Sequence, residues 1–138
     1  MVSPTTPART NVHIATDADV VTARLAGRNL SMEAGFSGGD LALIATAISE
    51  LARNILEYAR CGEVQVELVH NGDRKGVKVI AHDEGPGIDN LDVAMRDGYS
   101  SGQGLGLGLP GTKRLMDEFE IVSRPGRGTT VTVIKWKR

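Results

Sequence analysis

The sequence is poor in cysteine and in aromatic residues, and its charges nearly cancel. Cys61 is the only cysteine among 138 residues, which excludes an intramolecular disulfide and a cysteine-ligated zinc site and favours a reducing compartment. Lys and Arg total 16, and Asp and Glu total 17. The net charge of −1 therefore provides no overall positive field of the kind that supports non-specific nucleic-acid binding.

Long apolar segments are also absent. No uninterrupted apolar run reaches the roughly 18 residues that a membrane-spanning helix needs, and the first seven residues contain no apolar core of a signal peptide. Residues 1–11 hold two prolines and four serines or threonines, which is typical of a disordered lead-in before a single domain over 12–138. Lys135, Lys137 and Arg138 are expected to form a solvated chain end. We expect a cytoplasmic protein without a membrane or nucleic-acid partner.

Glycine is the residue in excess. The chain has 17 glycines in 138 residues, or about 12%, where about 7% is usual. Eight of them lie between Gly85 and Gly111. Residues 98–108 hold five glycines, so we expect no regular helix or strand there.

Hydrophobic periodicity predicts groups of strands separated by helices. The predicted elements are a strand at 12–15, a helix from a Thr16 or Asp17 cap to Gly35, a helix over 41–59 stopped by Gly62, a hairpin of 64–68 and 77–81, a short helix over 89–97, a helix beginning near Pro110, and strands at 121–123 and 129–136. This order favours an α+β fold, a two-layer sandwich in which helices cover one face of a mixed, mostly antiparallel sheet.

Two of the predicted helices have an expected inward face. In the first, the apolar face comprises Val20, Val21, Leu25 and Leu30. In the helix that begins near Pro110, the residues expected to face inward are Leu115, Met116 and Phe119.

Glu50 and Asn54 are separated by four residues on the predicted helix over 41–59, so both project from one helix face. A carboxylate can accept a proton, and an amide oxygen can bind Mg²⁺ without adding charge. Taken alone, such a pair is more often a solvated helix face.

A glycine-rich turn follows directly after the strand at 77–81. Gly85 and Gly87 would let a flat ligand approach the backbone, and Asp83 can accept a hydrogen bond from an exocyclic amine such as that of adenine. An ordinary turn with an Asx hydrogen bond explains Asp83 about equally well.

Alternating glycine and leucine mark the stretch 102–111, which leads into a helix. Successive backbone N–H groups and a helix N-terminus suit a phosphate group. Gly106, Gly108 and Gly111 also match the dinucleotide pattern, but no strand precedes them and no βαβ unit surrounds them, so that match is false. A flexible linker is the alternative, although a linker has no reason to alternate these residues. Further along, Gly128-Thr129-Thr130 is by itself most simply a turn before a strand.

In chain order these four elements resemble the ATP site of the GHKL superfamily, which includes gyrase, Hsp90-type chaperones, histidine kinases and anti-sigma-factor kinases. Residues 50–54 resemble its N box, 83–87 and 102–108 its first two glycine boxes, and 128–129 its third. Within the superfamily the chain is similar to the stressosome switch kinases of the RsbT type. The residues that carry this similarity are 47–55, Asp83 with 85–88, 108–111, 113–119 and 134–136.

The resemblance implies a Bergerat-type ATP-binding fold and a serine/threonine-protein kinase that uses ATP and Mg²⁺. Its partners would be scaffold and antagonist proteins with STAS domains and, after release, a downstream serine phosphatase that it activates in the general stress response. Glu50 would be the general base, Asn54 the Mg²⁺ ligand, and Asp83 the reader of the adenine amino group. The other nucleotide-contacting residues implied are Gly85, Gly87, Ile88, Gly102, Gly104, Gly106, Leu107, Gly108, Thr129 and Thr130.

Two other functions remain open at this point. An anti-sigma factor of the same superfamily would mainly hold a sigma subunit. A non-catalytic partner-switching module would keep the pocket without using it, although the presence of Glu50, Asn54 and Asp83 argues against that.

Overall fold

The computed structural model describes residues 9–87, 95 and 108–137. Its elements are β1 (Arg9–Ile14), α1 (Asp17–Glu33), α2 (Gly38–Ala59), β2 (Gly62–Asn71), β3 (Arg74–Asp83), α3 (Gly108–Leu115), β4 (Glu118–Arg124) and β5 (Gly128–Trp136). The strands form one sheet in the order β1-β2-β3-β5-β4. Every strand pair in these residues is antiparallel. The mixed, mostly antiparallel sheet predicted from the sequence is therefore entirely antiparallel in the described part of the chain.

One face of the sheet forms the core with the helices. Because side chains alternate along a strand, the buried valines occur at every second position, and they are Val64, Val66, Val77, Val79, Val131 and Val133. They pack in one cluster with the buried residues of α1 and α2. The two-layer α+β architecture predicted from the sequence is confirmed.

Helix α1 begins as predicted but buries a different face. Thr16 is the N-cap, and its side chain and that of Asp19 form a capping box; Gly35, at φ 99°, follows the helix end. Val21 and Leu25, however, are 46% and 48% exposed. The buried residues of the helix are Val20, Ala23, Gly27, Leu30 and Ser31.

The reason for the different face is the close approach of α1 to α2. A Cβ placed on Gly27 would collide with the Cδ1 atom of Ile48, so small residues form the contact surface and the larger Val21 and Leu25 remain outside. The apolar periodicity of α1 by itself did not distinguish these two faces.

Helix α2 agrees with the helix predicted over 41–59, but a different residue ends it. It begins at Gly38, and after Ala59 the chain turns at Arg60, whose φ is 72°. Gly62, the predicted stop, is instead the first residue of β2. Within 9–87 and 108–137, every helix is too short or too polar to span a lipid bilayer.

The first and the last strand of the chain differ from the expectation based on the sequence. Strand β1 begins at Arg9 and pairs with β2 from Arg9 opposite Glu67, so residues 9–11 belong to the sheet and not to the lead-in. Lys135 is buried, and its Nζ donates to the carbonyl oxygen of Leu115 at 3.2 Å. The expectation of a solvated chain end is therefore wrong for Lys135.

Helix α3 is shorter than predicted and starts earlier. It spans Gly108–Leu115, so Gly108, expected in an irregular stretch, is its first residue. Met116 is buried, whereas Phe119 packs against the core from β4 rather than from the helix. The predicted helix over 89–97 falls, apart from Met95, outside the described residues; Met95 packs against the core.

Candidate functional site

A pocket opens where α2 and α3 meet β3 and β5. The pocket is open to solvent, and the empty space among its lining residues and at its mouth together is about 350 Å³. Most of its walls are apolar, and polar groups enter from three elements. The lining residues are Leu51, Asn54, Ile55, Tyr58, Ala81, Asp83, Leu109, Thr129 and Val131.

Asp83 ends β3 and is only 8% exposed. Its Oδ1 accepts a hydrogen bond from the Gly85 N–H at 2.9 Å, which is the Asx turn considered from the sequence. Because a carboxylate has two acceptor oxygens, Oδ2 remains available to a ligand that donates a hydrogen bond. The Asp83 carboxylate can therefore form the Asx turn and accept a hydrogen bond from a ligand at the same time.

Strand pairing brings Thr129 beside Asp83. The two residues are directly opposite each other in β3 and β5, so their side chains share one face of the sheet. Thr130 is on the other face, where its hydroxyl lies 2.7 Å from Nδ1 of His82. Of the two threonines expected at the site, the structure brings only Thr129 to the pocket.

The glycines of the turn are required by the protein's own backbone. A Cβ on Gly85 would meet Cβ of Ala59 at 2.5 Å, and one on Gly87 would collide with the carbonyl oxygen of Arg124. A Cβ on Gly128, whose φ is 96°, would likewise collide with the carbonyl oxygen of Asp83. The backbone therefore passes so close to its neighbours around the end of β3 that only glycine fits at these three positions.

Asn54 and Glu50 occupy successive turns of α2. Asn54 lines the pocket, and its Nδ2 is a buried polar atom without a hydrogen-bond partner in the described part of the chain. Because buried polar atoms of folded proteins are nearly always hydrogen-bonded, this amide is suited to contact a polar ligand. The two ends of an amide exchange places by a half-turn, so this position offers either a donor to phosphate or an acceptor to Mg²⁺.

Glu50 is 5% exposed and is not among the residues that line the pocket. Its Oε2 accepts a long hydrogen bond of 3.5 Å from Nη1 of Arg53. Arg53 also lines an open groove between α1 and α2. Glu50 therefore lies one helical turn from Asn54, beside a surface that a second molecule can reach.

Helix α3 contributes the remaining described wall. Leu109 lines the pocket, and the Thr112 hydroxyl donates to the carbonyl oxygen of Gly108 at 3.0 Å, within the first turn. The N-terminus of a helix favours negative charge. Ile88, Gly102, Gly104, Gly106 and Leu107 lie outside the described residues.

The sequence analysis did not identify the residues of the apolar pocket walls as site residues. Leu51, Ile55 and Tyr58 are spaced by four and three residues along α2 and flank Asn54. That spacing was visible in the sequence, but it is also the spacing of a core face.

Among the described residues, no group of three or more His, Cys, Asp or Glu side chains is placed to hold a metal ion. A magnesium ion that is held largely by substrate phosphates does not need such a group.

A family model for histidine kinase-, DNA gyrase B- and HSP90-like ATPases matches residues 39–138. The chain belongs to this family. The match contains α2, β3, α3 and β5, which are the elements that form the pocket. The GHKL fold predicted from the sequence is confirmed, and membership implies that ATP is the ligand of this family member.

Two curated relatives narrow the assignment within the family. The chain is 53% identical over 127 residues to the serine/threonine-protein kinase RsbT of Bacillus subtilis, covering 92% of this chain and 96% of the relative. It is 30% identical over 103 residues to the anti-sigma F factor of Thermoanaerobacter sp., covering 70% of this chain and 71% of the relative. This GHKL family member is a serine/threonine-protein kinase of the RsbT type, as predicted.

Solved structures agree with the fold. The RsbU and RsbW domains of a Mycobacterium tuberculosis protein align over 94% of this chain with a TM-score of 0.60 and 26% identity. The chain spans about a third of that structure, 33% of its length. A mycobacterial sensor histidine kinase, MprB, aligns over 94% of this chain with a TM-score of 0.56 at 18% identity, which supports the GHKL fold alone.

Proposed function

We propose that this kinase phosphorylates serine or threonine residues of STAS-domain scaffold and antagonist proteins, and that after release it binds and activates a downstream serine phosphatase. The observation that carries the proposal is the convergence of Asp83, Thr129 and the unpartnered Asn54 amide on one pocket, one helical turn from Glu50. The similarity to RsbT over 92% of the chain supports the choice of partner class. A cytoplasmic location stays a prediction from the sequence.

In this proposal the adenine ring enters the apolar pocket and its amino group donates to Asp83. Leu51, Ile55 and Val131 provide apolar walls, and Thr129 offers a hydroxyl next to the carboxylate. A buried carboxylate selects a donor at that position because an acceptor would leave it unpaired and repelled. The pocket therefore favours adenine over a base with a carbonyl at the same place.

The phosphates lie toward Asn54 and the N-terminus of α3. Asn54 would hold Mg²⁺, which when bound neutralises negative charge on the phosphates. The amide suits this position because it binds without adding a charge of its own. The contacts of Ile88, Gly102, Gly104, Gly106, Leu107 and Gly108 with the nucleotide stay predictions.

Glu50 is the proposed general base. The hydroxyl oxygen of the substrate attacks the γ-phosphorus, the bond from that phosphorus to the bridging oxygen breaks, and ADP leaves. Glu50 accepts the hydroxyl proton. Because phosphoryl transfer depends mainly on positioning and charge stabilisation, holding Glu50 on the same rigid helix as Asn54 fixes the base relative to the phosphates.

The test is phosphorylation of a purified STAS-domain protein with radiolabelled ATP. Glu50→Gln should bind ATP like wild type and lose at least about 100-fold in labelling rate. Asp83→Asn should lose nucleotide binding. Glu57→Gln is the matched control, because Glu57 is exposed on the same helix. Unchanged labelling by the Glu50 variant would exclude its role as the base.

An anti-sigma factor is the second candidate, favoured by the 30% identity to anti-sigma F factors. Such a protein retains a sigma subunit during purification. Co-purification of a sigma subunit without any STAS-domain protein would support this function over the first. A non-catalytic module is distinguished by equilibrium nucleotide titration, in which it shows no saturable ATP binding.

A further inference from the structure

The open groove between α1 and α2 has three arginines and no acidic residue among its described lining. Arg24 and Arg28 enter it from α1, and Arg53 enters it from α2. The other residues that line it are Leu25, Ala42, Ala45, Thr46 and Ser49. The whole chain has 16 basic and 17 acidic residues, so this positive charge is a local property of the groove.

The two arginines of α1 have no negative partner within the described part of the chain. Neither Arg24 nor Arg28 forms an ion pair there, and Nη1 of Arg28 donates to Sδ of Met32 at 3.4 Å, which is a weak acceptor. The two arginines are four residues apart on one helix face, and like charges at this spacing destabilise a helix. They therefore add nothing to the stability of α1, and they are available to a negatively charged group from another molecule.

The groove lies directly beside Glu50. Leu51 and Asn54 of α2 line the nucleotide pocket, whereas Ser49 and Arg53 line the groove. Successive residues of a helix are rotated by about 100°, so Glu50 lies between these two faces of α2. Nη1 of Arg53 donates to Oε2 of Glu50 at 3.5 Å, which is a direct contact between the groove and the proposed base.

This arrangement indicates how a substrate protein approaches. Ile48 and Ala52 lie on the side of α2 opposite Glu50 and are buried in the core, and ATP would occupy the pocket on one flank of Glu50. A hydroxyl that reaches both Glu50 and the γ-phosphate therefore belongs to a protein that covers the other flank, where the groove lies. Leu25, 48% exposed in the groove, offers that protein an apolar contact.

We propose that the groove binds an acidic segment of the substrate protein, so that the kinase selects serine or threonine residues with Asp or Glu side chains nearby. The guanidinium group of arginine matches a carboxylate in shape as well as in charge. The inference rests on the proposed function, in which Glu50 is the base and the substrate is a STAS-domain protein. It adds which chemical surroundings of the hydroxyl the kinase recognises.

The experiment measures the steady-state labelling of the purified STAS-domain protein by the full chain. The double variant Arg24→Gln/Arg28→Gln should raise the KM for this protein about three- to tenfold. Arg28→Glu should raise it at least about tenfold, because it places a like charge against the segment. Both variants should keep the wild-type affinity for ATP, since neither residue lines the nucleotide pocket. Arg9→Gln, exposed on the edge strand β1, is the matched control and should keep the wild-type KM.

Two further readouts identify the charge of the bound segment. The KM of wild type should rise as NaCl is increased from about 50 to about 300 mM, and that of the double variant should rise less. Changing a carboxylate near the labelled residue of the substrate to Lys should weaken labelling by wild type and restore part of the labelling by Arg28→Glu. If no such substrate variant restores labelling, the inference is wrong. It is also wrong if Leu25→Ser raises the KM and the arginine variants do not, because the interface is then apolar.

A second copy of this chain is the competing occupant of the groove. In that case Arg28→Glu would change the sedimentation of the kinase alone and leave the KM for the substrate unchanged, which would overturn the inference. Failure of the proposed function looks different, because wild type itself would then not label the STAS-domain protein. If wild type and Arg28→Glu label it with the same KM, the proposed function stands and only the role of the groove is wrong.

Discussion

Lys135, near the end of β5, is a charged residue whose side chain is buried. Its side chain is 9% exposed, and Nζ lies 3.8 Å from Oδ1 of Asp117. Oδ2 of Asp117 accepts from the backbone N–H of Trp136 at 2.7 Å. Asp117 therefore joins the end of α3 to β5 through both of its oxygens, while Lys135 holds the last carbonyl of the helix.

Removing Asp117 should cost much more than removing Lys135. In Asp117→Ala a buried ammonium loses its counter-charge and a backbone N–H loses its acceptor, so we expect a loss of about 3 kcal/mol in the free energy of unfolding. Lys135→Met loses the hydrogen bond to the Leu115 carbonyl but leaves Asp117 with the Trp136 N–H as a donor, so it should cost only about 1 kcal/mol. Urea titration measures both, with exposed Glu120→Gln as the control. Equal losses in the two variants would contradict this account.

At the scale of elements, the contact of α1 with α2 depends on Gly27. A Cβ there would collide with Ile48, whose side chain is fully buried. Gly27→Ala should therefore destabilise the protein by about 1–3 kcal/mol, the usual cost of overpacking a core, despite the better helix propensity of alanine. Gly39→Ala is the matched control, since Gly39 is also helical and has nothing within 4 Å of its added Cβ. Thermal unfolding of the two variants should give shifts of opposite sign.

The N-terminus of α1 gives a stability change with pH. The side chain of Asp19 accepts from the N–H groups of Ala15 at 2.8 Å and Thr16 at 2.9 Å, and the bond from Ala15 is the main reason that the pKa of Asp19 lies below its ordinary value. A depressed pKa in the folded state means that the stabilisation is present above the unfolded-state pKa, near 3.9. It is lost as pH falls through the lower folded-state value.

Asp19→Asn should accordingly lower the melting temperature at pH 7, where wild type has the ionised carboxylate. The gap between the two proteins should narrow below about pH 4, where the wild-type carboxylate becomes protonated. Asp17→Asn, in the same helical turn, is the comparison and should produce the smaller change at pH 7. A gap that stays constant from pH 7 to pH 3 would mean that ionisation of Asp19 does not contribute.

The elements that could be predicted are those with a strong periodic signal. The apolar repeat of α2, from Leu41 to Ile55, is long enough to identify both the helix and its buried face. In α1 the buried stripe is built from Ala23 and Gly27, which carry little hydrophobic signal, and the exposed Val21 and Leu25 dominated the pattern. Arg9 joins the sheet through backbone pairing with β2, a long-range contact that local composition does not reveal.

For the whole molecule, site residues could be predicted where their type and order in the chain indicate the chemistry. They could not be predicted where strand register or packing determines the position of a side chain. Glu50, Asn54 and Asp83 were identifiable because carboxylate and amide chemistry is readable from the chain. Thr130 was separated from Thr129 only by strand alternation, which depends on the register of β5 with β3. Lys135 became buried through its contact with the end of α3, to which its sequence position gives no clue.

The pocket draws residues from α2, β3, β5 and α3, so nucleotide binding should stabilise the folded chain as a unit. At a nucleotide concentration 100 times the Kd, the free energy of unfolding should rise by about 2.7 kcal/mol, which corresponds to a rise in Tm of roughly 5–10 °C. Asp83→Asn should lose this shift at the same concentration, because it replaces the acceptor of the adenine amino group. Glu50→Gln should keep the shift, since Glu50 does not line the pocket. Differential scanning calorimetry of the three proteins with and without Mg-ATP measures it, and an equal shift in wild type and Asp83→Asn would contradict adenine binding at Asp83.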